Sequence, residues 1–245
     1  MERRQFIIGA GATALGATAV GPTAAEAAET GRAAGWNSNF TYNNLGWSRV
    51  SGAWYRSGGM WRADGLPGYW TSTKHTNVYE NFVYQAKVKR DGNGGGYYNN
   101  SLVIRGNPAS LNSAYEWSPS YIFGFTNTGY ASVWRVNYDG TETALMGWTY
   151  FPFLTSLVWK NMKVVAQDNF FSFAIGGRTL WSGYDSNLAY GRVGFTFYTA
   201  SSYWSTLRID SASLQTLAAR EKVTLDPMAT GGRVLKGGNS KQAPA

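Results

Sequence analysis

The chain has 245 residues, a formal net charge of +8, no cysteine and one histidine, His75. Without thiols it forms neither disulfides nor thiolate metal sites, and one imidazole is too few for a histidine-based metal centre. The basic residues are scattered rather than gathered in a stripe, which argues against nucleic acid as a partner. Aromatic residues make up 16% of the chain, a surplus that favours sugar binding in addition to core packing.

The first 27 residues have the pattern of a twin-arginine secretory signal. A pair of arginines precedes a small-residue apolar run, and Ala25-Glu26-Ala27 provides a small-x-small cleavage site. We therefore expect export by the twin-arginine route to a secreted, periplasmic or cell-surface location, with no membrane span after cleavage. The predicted division is a signal at residues 1–27, a linker at 28–35, a folded domain at 36–215 and a charged, largely disordered tail at 216–245.

Alternating apolar and polar residues predict a series of short strands in the first half of the domain. The predicted elements are an extended segment at 36–47, a hairpin of 51–55 and 59–63, a short strand at 69–73 and a long one at 79–90. A glycine-rich run at 91–96 follows, whose Asp-x-Asn spacing resembles that of a calcium loop but lacks the further carboxylates. We expect a hairpin connection there and no cofactor, with a structural calcium ion as the alternative.

The second half continues the same alternation. The predicted strands are 100–105, 120–126, 130–137 and 141–148, with a last one at 204–214. Residues 159–199 predict an antiparallel meander of three strands and a short fourth, with turns at Asp168-Asn169 and Gly176-Gly177. About a dozen strands without a convincing helix favour an all-β fold, a two-sheet antiparallel sandwich.

Several segments follow one another in a recognisable order over most of residues 36–215. They include Leu102-Val103-Ile104-Arg105-Gly106, Tyr121-Ile122-Phe123-Gly124-Phe125, Val133-Trp134-Arg135-Val136, Ile175-Gly176-Gly177 and Gly191-Arg192-Val193-Gly194-Phe195. This order resembles the concanavalin A-like lectin/glucanase superfamily in its laminin-G-like branch. The resemblance implies a jelly roll and a glycan or cell-surface polysaccharide as partner. It says little about activity, because the fold hosts binding modules as well as hydrolases and lyases.

An enzyme of this fold is the alternative to a binding module. Glucanases of the superfamily carry an E-x-D-x-x-E strand motif, and that spacing is absent here. Glycoside hydrolysis needs two carboxyl groups roughly 5 to 9.5 Å apart, and the sequence does not show which of the acids meet. A resemblance to keto-disaccharide hydrolases keeps catalysis open, and the candidate groups would then be Asp64, Glu80, Glu116 and His75.

The candidate ligand-binding residues are Arg105, Arg135, Trp134 and Trp148. If their strands are neighbours on a concave sheet, the two arginines lie side by side with indole rings nearby. Guanidinium forks and flat aromatic faces suit hydroxyl-rich or acidic sugars. The alternative is that the arginines pair with Glu116 or Glu142 and that the tryptophans belong to the core. The sequence thus favours an exported, non-catalytic carbohydrate-binding or surface-interaction module, with a glycoside hydrolase-like enzyme as the alternative.

Overall fold

The computed structural model describes residues 33–92, 96–218, 233–234 and 239–243, so the predicted signal lies outside the described residues. In these ranges the chain forms sixteen strands and one 3-10 helix, Pro152–Leu154, and contains no helix long and apolar enough to span a membrane. The strands are β1 (Trp36–Ser38), β2 (Trp47–Ser51), β3 (Ala53–Ser57), β4 (Met60–Asp64), β5 (Trp70–Tyr79), β6 (Phe82–Asp91), β7 (Asn100–Gly106), β8 (Ser120–Phe125), β9 (Tyr130–Val136), β10 (Glu142–Tyr150), β11 (Lys160–Gln167), β12 (Phe170–Ile175), β13 (Arg178–Tyr184), β14 (Gly191–Tyr198), β15 (Thr206–Thr216) and β16 (Arg233–Val234).

The described strands form two antiparallel sheets of eight strands each. The first sheet has the order β13-β12-β11-β6-β15-β4-β3, and β1 also pairs with β15. The second sheet has the order β16-β10-β9-β8-β7-β14-β5-β2. The prediction of an all-β, two-sheet antiparallel sandwich is confirmed.

Aromatic side chains from both sheets form the main core between the layers. Phe123 and Phe195 come from the second sheet and Phe171 and Phe173 from the first, and all four are fully buried. They alternate with residues of the opposite face because successive side chains of a strand point to opposite sides. Burial of each ring contributes about 2–3 kcal/mol, so packing of the two layers is the main stabilising force.

A second apolar cluster lies on the outer face of the second sheet, the side turned away from the main core. Val103, Ile122 and Trp134 are direct cross-strand neighbours on β7, β8 and β9 and form its floor. Trp117, from the loop at residues 107–119, packs on them from one side, and Ala243 packs on them from the chain's last described segment. The outer face is therefore covered by two segments that belong to neither sheet.

The predicted meander over residues 159–199 is correct for three strands and wrong for the fourth. Strands β11, β12 and β13 are consecutive neighbours in the first sheet, but β14 lies between β5 and β7 in the second. Phe195 and Phe197 show the expected alternation and point into the core. Alternation determines which face of a strand is buried, but either sheet offers such a face.

Other connections also cross between the sheets. The predicted strand at 79–90 corresponds to β6 except at its start, because Tyr79 ends β5 in the second sheet and β6 lies in the first, with buried Asn81 at the crossing. The glycine-rich run is likewise a crossing from β6 to β7 and not a hairpin; residues 93–95 of it lie outside the described ranges. At its start Asp91 pairs with Lys89 and Arg208, and the described residues contain no group of acids or histidines suited to a metal ion.

Candidate functional site

Arg105 lies inside the sandwich edge rather than on an open surface. Its side chain is 2% exposed and donates hydrogen bonds of 2.7–3.1 Å to the main-chain oxygens of Glu80, Asp168 and Leu188. The guanidinium also lies 4.9 Å from the ring centre of Phe171. Burial lowers its pKa to about 10. Arg105 thus joins three loops at one end of the two sheets.

Arg135 lies close to the same end of the sandwich and forms an ion pair with Asp185. The Tyr121 hydroxyl also donates to Asp185, at 2.5 Å, and accepts from the main-chain N–H of Leu188. Burial raises the pKa of Asp185, but the hydrogen bonds from Tyr121 and Asn187 and the charge of Arg135 leave it below its usual value. Both arginines therefore hold residues 185–188, and neither pairs with Glu116 or Glu142. Their ligand-binding role stays a prediction that these contacts do not favour.

Trp134 and Trp148 both lie on the outer face of the second sheet. Trp148 is fully buried, and its indole N–H donates to the main-chain oxygen of Asn239 at 2.7 Å. Trp134 is 7% exposed, and its indole N–H has no hydrogen-bond partner among the described residues. The structure brings the two predicted tryptophans to one face, but the C-terminal segment covers them.

Three of the four candidate catalytic residues have unrelated surroundings. Asp64, at the end of β4, accepts hydrogen bonds from the hydroxyls of Tyr55 and Thr206. Glu80 is exposed in the turn between β5 and β6. His75 is buried and stacks on Trp36, with 4.4 Å between the ring centres. Burial lowers its pKa to about 4. In the described part of the chain no hydrogen bond or ion pair joins these three groups.

The fourth candidate, Glu116, meets an acid that the sequence does not single out. Glu116 is 1% exposed in the loop at 107–119, and Glu142 begins β10. The hydroxyl oxygen of Ser240 lies 2.8 Å from Oε1 of each glutamate. The two carboxyl oxygens are therefore no more than twice that distance apart. We call Glu116 and Glu142 the acid pair.

The hydrogen bonding of the acid pair requires a proton on one of the two carboxyl groups. A hydroxyl has one proton, so Ser240 donates to only one carboxyl and must accept from the other. Burial, followed by the charge of Glu142, raises the pKa of Glu116 to about 8. Glu116 is therefore the protonated partner at neutral pH. Asn112 donates to its second oxygen at 2.9 Å, which holds the carboxyl group in place.

A different site, open to solvent, lies on the outer face of the first sheet. It is a cleft of ≈ 640 Å³ between β1, β6, β11 and β15 and the chain after β1. We call it the amide cleft, because it is lined by Asn37, Asn39, Asn43, Gln85 and Asn161, with Ser38, Ser211, Ser213 and Tyr42. The side-chain amides of Gln85 and Asn161 make no hydrogen bond within the described residues, and Tyr42 is 82% exposed.

Strand order explains why the sequence does not reveal the amide cleft. Asn37, Ser213 and Gln85 are direct cross-strand neighbours on β1, β15 and β6. They lie far apart along the chain, and each appears in the sequence as an ordinary outward-facing polar residue. The asparagine-rich stretch after Trp36 is the one local signal that could have indicated this site.

The fold is a concanavalin A-like jelly roll, as the order of the segments predicts. No protein-family model and no curated protein matches the chain. Among solved structures, carbohydrate-binding module CBM66 from Bacillus subtilis is similar at 17% identity and TM-score 0.52, covering 71% of this chain and 94% of that one. A Bacillus licheniformis β-glucanase is similar at 11% identity and TM-score 0.57, covering 76% of this chain and 100% of that one. A prokaryotic β-1,3-1,4-glucanase (lichenase) from a mouse hindgut metagenome is similar at 12% identity and TM-score 0.56, with coverages of 76% and 100%. At these identities the likeness establishes the fold.

Proposed function

We propose that this chain is an exported, non-catalytic carbohydrate-binding module and that its glycan site is the amide cleft. The observation that carries the proposal is the lining of the cleft. Side-chain amides both donate and accept hydrogen bonds, which matches the hydroxyl groups of a sugar. An exposed phenol ring at the rim offers a flat apolar surface for a pyranose face.

The charge of the amide cleft favours a neutral glycan. Lys87 is the one charged residue in the described lining, and its ammonium group pairs with Asp210 at 3.2 Å. The similarity to a carbohydrate-binding module and to glucanases supports a polysaccharide partner. The twin-arginine pattern of the first 27 residues supports a location outside the cytoplasm, where such polysaccharides occur.

Replacement of Tyr42 or Asn161 by alanine is expected to weaken glycan binding about fivefold, because each removes a stacking surface or a free amide worth about 1 kcal/mol. Affinity electrophoresis in gels that contain mixed-linkage β-glucan, chitin-derived or mucin polysaccharides measures the effect. Tyr138→Ala is the matched control, since Tyr138 is 77% exposed in the turn that precedes β10. If both cleft variants are retarded like the wild type, the amide cleft is not the glycan site.

The acid pair supports a second candidate function, glycoside hydrolysis. Retaining hydrolases place their two carboxyl groups about 5–5.5 Å apart, and the contacts of Ser240 limit Glu116 and Glu142 to a similar distance. One of the two is protonated at neutral pH, as a general acid must be. These residues, rather than Asp64, Glu80 or His75, are the groups that the geometry offers for catalysis.

If the acid pair is catalytic, Glu116→Gln and Glu142→Gln should each lower hydrolysis at least about 100-fold, because each removes proton transfer or the second carboxylate. Release of reducing ends from mixed-linkage β-glucan measures the rate. Asp139→Asn is the control, because Asp139 is an exposed turn residue. A wild-type protein without reducing-end release from any of the three polysaccharides would leave binding as the function.

A further inference from the structure

The last described segment, Asn239–Ala243, is docked on the outer face of the second sheet; we call it the C-terminal cover. Asn99 donates from its side chain to the main-chain oxygen of Ser240 at 2.6 Å and from its backbone to that of Lys241 at 2.9 Å. The main-chain N–H of Ala243 donates to the oxygen of Tyr97 at 3.0 Å. Ser240 and Ala243 are buried. The sequence predicts a largely disordered tail over residues 216–245, and within it these five residues have defined contacts.

Small residues on the outer face of the second sheet leave space for the C-terminal cover. A Cβ atom on Gly124 would overlap the side chain of Asn99, so glycine at this position lets Asn99 lie flat and reach Ser240. Gly124 is the cross-strand neighbour of Ser101 on β7 and of Ser132 on β9. Small residues thus form a shallow channel across three strands.

The C-terminal cover leaves much of the hydrogen-bonding capacity of this face unused. The hydroxyls of Ser101 and Ser132 and the indole N–H of Trp134 have no partner in the described ranges, although all three residues are more than nine-tenths buried. Buried polar groups in folded proteins nearly always have a partner. A ligand with several hydroxyl groups would supply the partners that the short peptide does not.

We propose that the outer face of the second sheet is a second glycan site, distinct from the amide cleft, and that the C-terminal cover is its displaceable occupant. The hydroxyl of Ser240 lies where a sugar hydroxyl would lie between Glu116 and Glu142. Indole rings of Trp134 and Trp148 form the apolar part of the site. A hydroxyl-rich, neutral oligosaccharide is the class of ligand that matches one hydroxyl-binding acid pair, free serine hydroxyls and indole surfaces.

The cover contacts the acid pair through two of its own groups. The Ser240 hydroxyl lies 2.8 Å from an oxygen of each glutamate. Burial and the charge of Glu142 raise the pKa of Glu116 to about 8, and the cover's Ser240 and Lys241 lower it. The contact of Ser240 with the acid pair therefore helps to hold the cover in place, and its removal should loosen docking.

Amide hydrogen exchange of the full chain, followed by NMR, tests the proposal. The amides of Ser240, Ala243 and Asn99 are donors in the cover's own contacts. Their protection factors should fall at least about threefold in Ser240→Ala, because the cover then lacks the hydroxyl that contacts Glu116 and Glu142. Asp139→Asn should behave as the wild type.

Addition of oligosaccharides tests the ligand. One of a panel of mixed-linkage β-glucan, chitin and mucin-type oligosaccharides should lower these protection factors in the wild type at least about threefold. Ser240→Ala should bind that oligosaccharide more tightly than the wild type at pH 6.5, since its cover lacks the hydroxyl. Tyr42→Ala should respond to the oligosaccharide as the wild type does, because Tyr42 lines the amide cleft. This test of the second site therefore holds even if the amide cleft does not bind glycan. Protection that is unchanged by Ser240→Ala, or unchanged by every oligosaccharide, overturns the proposal.

Discussion

Replacement of Arg90 by methionine is expected to destabilise the protein by about 4 kcal/mol, because it leaves several buried acceptors unpaired. Arg90 is 1% exposed, and its guanidinium group is buried in the sandwich without a carboxylate partner among the described residues. Its guanidinium donates instead to six oxygen atoms, those of the Tyr98, Asn99 and Tyr198 main chain and of the Asn100, Thr199 and Ser205 side chains. Methionine fills a similar volume but satisfies none of them.

Chemical denaturation of wild type and variant measures the loss for Arg90. Lys89→Met is the matched control, because Lys89 directly precedes Arg90 on β6, points to the opposite face and pairs with Asp91 near the surface. Surface pairs of this kind contribute about 0–1 kcal/mol. A loss for Arg90→Met that is no larger than the control's would mean that the six acceptors find other partners.

Replacement of Arg105 by methionine is expected to lower the free energy of unfolding by about 3 kcal/mol. The change removes the donors to the oxygens of Glu80, Asp168 and Leu188 and the contact with Phe171. Because these contacts hold loops together, we expect glycan binding by the folded variant to stay within about twofold of the wild type.

Two measurements on Arg105→Met separate a structural role from a ligand-binding one. Denaturation gives the stability, and affinity electrophoresis at a temperature where the variant is folded gives the binding. Arg178→Met is the control, since Arg178 is exposed and lies over the ring of Phe153 at 4.7 Å. Unchanged stability together with a large loss of binding would show that Arg105 contacts the ligand.

Local alternation carried most of the fold prediction. The hairpin of β3 and β4, the strands β7 to β10 and the three-stranded meander follow directly from alternating side chains and turn residues such as Asp168 and Gly176. The errors concern the length of β5, the connection from β6 to β7 and the sheet to which β14 belongs, all at points where the chain crosses between sheets. A crossing leaves the alternation intact, since both sheets bury one face against the same core.

For the candidate sites, too, the alternation of side chains does not show which residues from distant parts of the chain meet. Trp134 and Trp148 share the outer face of the second sheet, whereas the sequence left open which side of its strand Trp134 takes. Arg105 has a positive φ of 44°, and its side chain turns into the sandwich edge, where loops that are distant in the sequence supply its acceptors. Sequence alternation assumes extended backbone at every position, so it placed Arg105 on the open face.

The class of fold could be predicted from the amino-acid sequence, because strand alternation and turn residues are properties of neighbouring residues. Which polar groups meet depends on the packing of the whole chain. Ser240 reaches Glu116 and Glu142 across separations of 124 and 98 residues, and the amide cleft joins strands from both ends of the domain. Such contacts depend on which strands become neighbours and on where the tail docks. Those choices are made by packing of the whole chain and leave no local pattern.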